Sequence, residues 1–159
     1  MTDVDIISAE TPDAGWIAEL IGDSFMHLGV TRWLVPDDAE RAEILPRNFL
    51  IFVGYALTYG AVHVFADRCA AALWLPRGFE DLPPPYDYDR RVAEAGGAHT
   101  ERFHQFDALF DQHHPHEPHH HLAFLAVSPA RQGTGLGSRL LEHHHATLDR
   151  PMWLEPRKT

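Results

Sequence analysis

The chain contains a single cysteine, Cys69, and a single lysine, Lys158. One thiol excludes an intramolecular disulfide and leaves no thiolate cluster for zinc. Positive charge is scarce: 13 Lys+Arg face 23 Asp+Glu, a formal net charge of −10. That balance excludes nucleic acid as a partner, because a phosphate backbone demands a basic face. The N-terminus, MTDVDII, has neither a basic n-region nor an apolar h-region, so a cytoplasmic protein is expected. Long hydrophobic runs are also missing. Asn48 to Ala66 carries no formal charge and is long enough to raise a membrane helix. Asn48, Gly54, Tyr55, Thr58, Gly60 and His63 interrupt it. It reads better as a helix ended by Gly60 in the left-handed conformation, followed by a strand, with no membrane partner.

No linker or repeat divides the 159 residues, and 45% hydrophobic content supplies one core, so residues 1–159 form a single domain. Val4–Ser8 reads as a first strand. Thr11-Pro12 reads as an N-cap with Pro at the first helical position. The helix it opens has Trp16, Ile17, Leu20, Ile21 and Phe25 on one face. Asp37-Asp38 opens a second helical region with Pro46 as a break or kink. Ala61–Ala66 and Cys69–Leu75 form a hairpin turning at Asp67-Arg68. Three consecutive prolines mark Leu82–Asp89 as a loop. Asp89–Gln112 is a helix interrupted at Gly96-Gly97, with Phe103, Phe106, Leu109 and Phe110 packing inward. Strand Leu122–Val127, helix Gly133–Arg150 and strand Met152–Glu155 complete an α/β or α+β domain.

The most informative stretch is Leu122–His145. An apolar strand runs into a glycine-rich turn and then an amphipathic helix. Backbone N–H groups crowded at a helix N-terminus attract anions, and glycine allows close approach. A phosphate-bearing ligand follows. No Lys-Ser or Lys-Thr succeeds the glycines, so a P-loop is excluded. The dinucleotide fingerprint fails too. Leu140 stands where Gly or Ala belongs, and Ser-Pro-Ala-Arg-Gln separates the strand from Gly133.

Gln132, Gly135 and Gly137, preceded by Arg131 and by Leu125-Ala126-Val127-Ser128-Pro129, give Gln-x-x-Gly-x-Gly. This resembles motif A of the GNAT N-acetyltransferases. The order of Ala71–Pro76, a polar helix, a His-Pro-x-Glu-Pro loop (His114, Pro115, Glu117, Pro118) and motif A is most similar to the puromycin N-acetyltransferase branch. The resemblance implies a mixed, mostly antiparallel sheet flanked by helices, with a splayed strand pair at the cofactor site. It implies acetyl-CoA as acyl donor, held by Leu125, Ala126 and Val127 of the strand. Arg131, Gln132, Gly133, Thr134, Gly135, Leu136, Gly137 and Ser138 of the turn would take the pyrophosphate. The acceptor implied is the amine of a small molecule, an antibiotic or metabolite, and the acidic chain is compatible with a cationic one.

His121 lies four residues before Leu125, where many GNAT members hold a general base, and its pKa class suits that work. It reads equally as a cleft-lining histidine without proton duty. Glu155 would face the acceptor side, as a base through water or an ammonium anchor, or is a solvent-exposed carboxylate. Relatives continue past this strand with a tyrosine acid, and no tyrosine follows Gly133 here. The C-terminal strands therefore look shortened. Met152–Glu155 would then present an open edge that recruits a second copy, giving a homodimer or other self-association.

His113, His114, His116, His119, His120 and His121 with Glu117, and a second group His143–His145, invite a metal reading. No HEXXH spacing is present, and three consecutive helical residues point in three directions. The expectation is a solvated loop without a metal site. Two other functions compete with acetyl transfer: a GNAT-like CoA-binding domain with little turnover, and a histidine-rich metal binder.

Overall fold

The computed structural model describes residues 5–79 and 81–147. The Met152–Glu155 strand, Glu155 and the self-association inferred from that edge lie outside the described residues.

Four strands, β1 (Ile6–Ser8), β2 (Ala61–Phe65), β3 (Ala70–Arg77) and β4 (His119–Val127), form one sheet in chain order, every pair antiparallel. β2 and β3 are joined by the expected hairpin, with Arg68 at φ +65° in the turn. Helix α1 (Ala14–Phe25) and helix α3 (Asp38–Tyr59) pack on one face of the sheet. Ile17, Ile21, Leu45 and Val53 meet Val64, Leu73 and Ala126 there. Helix α6 (Leu136–Thr147) covers the other face with Leu136 and Leu140 against Phe65, Ala72 and Trp74. Helix α4 (Tyr88–Gly96) and helix α5 (Thr100–His113) follow the proline loop, and the Gly97–His99 turn parts them as the glycines imply. No described helix is long and apolar enough to cross a membrane. The buried face of α3 faces protein instead.

Local details depart from the sequence reading for identifiable reasons. Thr11 is not the N-cap. Thr11–Asp13 form a 3₁₀ turn in front of α1, and the Asp13 carboxylate accepts from the Glu10 backbone N–H at 2.8 Å. Pro46 does not break α3, which runs through it. Asp37 caps that helix, accepting from the Glu40 N–H at 2.9 Å. Gly60 ends α3 but not in the left-handed conformation, since its φ is −114°. Glycine is required there by space: a Cβ would stand 2.0 Å from the Trp74 carbonyl oxygen. Helix α6 begins at Leu136 rather than Gly133, because Gly133 and Gly135 have positive φ.

A short helix, α2 (Gly29–Leu34), was not legible in the sequence. The buried Arg41 fixes it. Its Nε donates to the Met26 carbonyl at 2.7 Å, and Nη1 donates to those of Val35 at 2.8 Å and Pro36 at 3.2 Å. One guanidinium thus satisfies both ends of the segment around α2, which leaves α2 lying over the face of the sheet that carries His121 and Phe124.

Candidate functional site

Strand β4 alternates normally until Ala123, where an extra residue enters. Leu73 pairs with Phe124 and Trp74 with Leu122, so Ala123 has no partner on β3. Such a bulge shifts the side-chain alternation by one. Leu122 and Leu125 therefore share the α6 face, an odd spacing, while Phe124 and Ala126 point towards α1 and α3. His121 and Ala123 line a cavity on that second face.

The cavity holds about 230 Å³ and opens between α1, α2, α3, α5, β3 and β4. Phe25, Phe49, Phe106, Phe110 and Phe124 wall it, and its polar side chains include Thr31, Asn48, Arg77, Asp107 and His121. Burial pushes the Asp107 carboxyl up, while the Tyr88 hydroxyl, donating to it at 2.6 Å, pulls the other way. Burial, then His114, Arg77 and His119, push His121 down to about 4. The imidazole is therefore neutral at neutral pH. Its ring lies 5.3 Å from Phe110 and 4.5 Å from His114.

At the far end of β4 the chain turns through Pro129–Arg131 into the glycines. Ser128 N–H donates to the Cys69 carbonyl at 2.8 Å, fixing the strand end to β3. Gln132 Nε2 donates back to the Val127 carbonyl at 3.1 Å, and Thr134 Oγ1 to that of Arg131 at 2.6 Å. Gly133 and Gly135 stand at φ +79° and +86°, and a Cβ on either would meet nothing within 4 Å among the described residues. Backbone conformation demands glycine at both, and the space in front of them is open. At Gly137 the reason differs, since its Cβ would come 3.3 Å from Leu125. That close approach seats α6 on β4.

All eleven residues assigned to the cofactor lie in this strand–turn–helix unit. Arg131 has a partner in the protein: its Nη1 lies 3.5 Å from Asp67 of the β2–β3 turn. Cys69 is buried and its thiol is pushed up to about 11 by burial and Asp67, so it is no nucleophile. His121 stands six residues up the strand from Val127, about 20 Å of extended chain.

The sequence reading missed Asp107, Asn48, Arg77 and the bulge. Asp107 carried a signal, because it falls between Phe103, Phe106 and Phe110 on the inward stripe of α5.

Residues 67–149 match the profile of the acetyltransferase (GNAT) family. Among solved structures, the chain is similar to a crystal structure described as histone acetyltransferase HPA2 and related acetyltransferase from Corynebacterium glutamicum. The TM-score is 0.62 at 25% identity, over 92% of this chain and 72% of that one.

Proposed function

This chain belongs to the GNAT acetyltransferase family, and from that premise we propose that it uses acetyl-CoA to acetylate the amine of a small, largely apolar molecule. The supporting observation is the position of the cavity. Its wall carries His121 beside a bulged strand that ends in a glycine turn with open space before it.

The turn fits a pyrophosphate. Gly133 and Gly135 leave backbone N–H groups approachable, and the first turn of α6 adds its dipole. Gln132, Thr134, Gly137 and Ser138 complete the cradle, and Arg131 would share its charge between Asp67 and the ligand. Leu125, Ala126 and Val127 offer backbone groups to the pantetheine arm, which adds to β4 like a strand. Acetyl-CoA supplies the activated acetyl group. In the cavity the phenylalanines take the apolar body of the acceptor, and Asp107 attracts its ammonium. His121 receives the proton that the ammonium gives up to become a free amine. As the new C–N bond forms and the thioester C–S bond breaks, the nitrogen's second proton leaves with the CoA thiolate as the free thiol.

The test is thiol release from acetyl-CoA with a panel of aromatic and aliphatic amines, beside calorimetric CoA binding. Amine-dependent thiol release is expected. CoA binding without turnover on any amine, or turnover only on lysine-bearing peptides such as histone tails, would overturn the small-amine assignment. No CoA binding would overturn the cofactor site.

A further inference from the structure

The histidine loop, read from its spacing as a solvated segment without a metal, is not arranged as one. His114, His119 and His121 each offer one ring nitrogen, and these atoms lie within 4.8 Å of one another. His119 and His121 are two apart on β4 before the bulge, so both side chains leave the same face. They pair with Arg77 and Leu75 of β3, which fixes their backbone. His114 reaches them from the end of α5, its ring stacked on Phe110 at 4.6 Å. The intervening loop presses against β3's exit. A Cβ at Gly78 would come within 2.8 Å of the His116 and Glu117 backbone, and Gly78 itself has φ +80°. The three rings are thus delivered by a frame of two elements and a packed loop.

We propose that His114, His119 and His121 bind one divalent d-block cation of the zinc type, leaving a fourth position for water or another ligand. The donor set supports that class of ion. Three imidazoles and no carboxylate suit zinc, nickel, copper or cobalt and not magnesium or calcium. One orienting hydrogen bond is already in place. His119 Nδ1–H donates to the Glu117 carbonyl at 2.6 Å, which leaves Nε2 with its lone pair, the arrangement metal-bound histidines adopt.

Without an ion, His114 Nε2 lies 2.7 Å from His119 Nε2, a hydrogen bond in which His114 donates. A cation takes the place of that proton, and His114 keeps a proton on Nδ1. Two nitrogens on a tetrahedral zinc at about 2.0–2.1 Å stand roughly 3.3 Å apart, so the pair must open by roughly 0.6 Å. The Arg77 guanidinium, over Phe110 at 4.7 Å, opposes the ion, and Asp111 at 3.9 Å from Arg77 tempers that opposition. Bound metal occupies the imidazole that receives the proton in the proposed reaction, so the ion is an inhibitor of it. This consequence rests on that reading, whereas the binding does not.

The experiment uses the untagged full chain, stripped with a chelator. It is titrated with Co²⁺ by visible absorption and with Zn²⁺ by calorimetry. One equivalent is expected, with the d–d bands of a nitrogen-rich low-coordinate site. His119→Ala and His114→Gln should each weaken binding by about tenfold or more. His113→Ala/His116→Ala, which removes two neighbours outside the triad, should leave stoichiometry and affinity unchanged. Circular dichroism confirms that each variant folds. Equal loss in the control variant, equal affinity in the triad variants, or weak uptake of several ions overturns the site. Tight binding of one ion by a chain that acetylates nothing would instead count against the proposed function alone.

Discussion

His63 and His144, 81 residues apart in the chain, share a hydrogen bond of 2.9 Å between Nε2 of the first and Nδ1 of the second. Both are buried, His63 on β2 and His144 on the inner face of α6, and the His144 ring stacks on Trp74 at 3.8 Å. The outer nitrogens, His63 Nδ1 and His144 Nε2, are buried with no partner among the described residues. Neither ring can therefore accept a second proton without cost. Burial holds His63 at about 4 and His144 at about 3, with His120, His143 and His145 opposing further charge.

Stability should therefore fall on acidification. In the unfolded chain both groups titrate near 6.5. Below that pH the unfolded state binds more protons than the folded one, down to about pH 4 for His63 and about pH 3 for His144. The stabilisation is fully present above 6.5 and is lost as pH drops, by up to about 1.4 kcal/mol per pH unit for each histidine. Urea melts at pH 7, 6 and 5 measure the slope. His144→Phe keeps a ring on Trp74 and removes one titrating group, so its slope should be shallower. An unchanged slope would place the acid sensitivity elsewhere.

Arg41 is 1% exposed and serves three carbonyls around α2. Arg41→Met retains the stem and strands those acceptors together with Asp38. The expected loss is about 3–5 kcal/mol. Asp38→Asn should cost under about 1 kcal/mol, because that carboxylate is 82% exposed. Chemical denaturation of the two variants checks the ratio. In Arg41→Met the cavity should also lose the wall supplied by Leu28, Thr31 and Leu34.

Much of this architecture was legible because punctuation residues stand at the right offsets. Gly96-Gly97 parts two helices, Asp67-Arg68 turns a hairpin, and the glycines after Gln132 make the anion turn. What stayed hidden depends on contacts far apart in sequence. Helix α2 is six residues without a period, set by Arg41 and by Thr31, whose hydroxyl donates to Phe25 at 2.6 Å. The bulge at Ala123 lies inside a run of apolar residues, where no alternation exists to be broken. The cavity draws its walls from six elements, so no local pattern marks it. The missing HEXXH spacing and the bounding prolines argued for a solvated histidine loop. Strand parity places His119 and His121 on one face, and the end of α5 adds His114.

The glycine turn yields a prediction that separates strain from charge. At Gly135, φ is +86° with open space beyond. Gly135→Ala brings a left-handed penalty of about 1–2 kcal/mol and no clash. Aspartate tolerates that conformation better than alanine, so Gly135→Asp should be at least as stable. Its carboxylate, however, faces the place proposed for phosphates. Calorimetry should show CoA affinity falling about hundredfold or more in Gly135→Asp and about tenfold or less in Gly135→Ala. If affinity follows stability instead, with the alanine variant weaker, the turn does not hold an anion.

Asp107 and His121, two of the polar groups of the cavity, should fail in different ways. Asp107 is assigned to attract the acceptor, so Asp107→Asn should raise the acceptor KM about tenfold while kcat and the KM for acetyl-CoA hold. Tyr88 can still donate to the amide oxygen, which keeps the local hydrogen bond and the fold. His121 is assigned to receive the proton, a contribution typically of about 10²–10⁴-fold in rate. His121→Ala should thus lower kcat about hundredfold at saturating acetyl-CoA, with both KM values little changed. His121→Asn, which fills the site without a basic nitrogen, should be as slow as the alanine variant. Steady-state kinetics on the best amine of the panel read both effects. A His121→Asn enzyme with normal kcat would make His121 a wall of the cavity and leave the proton to another group.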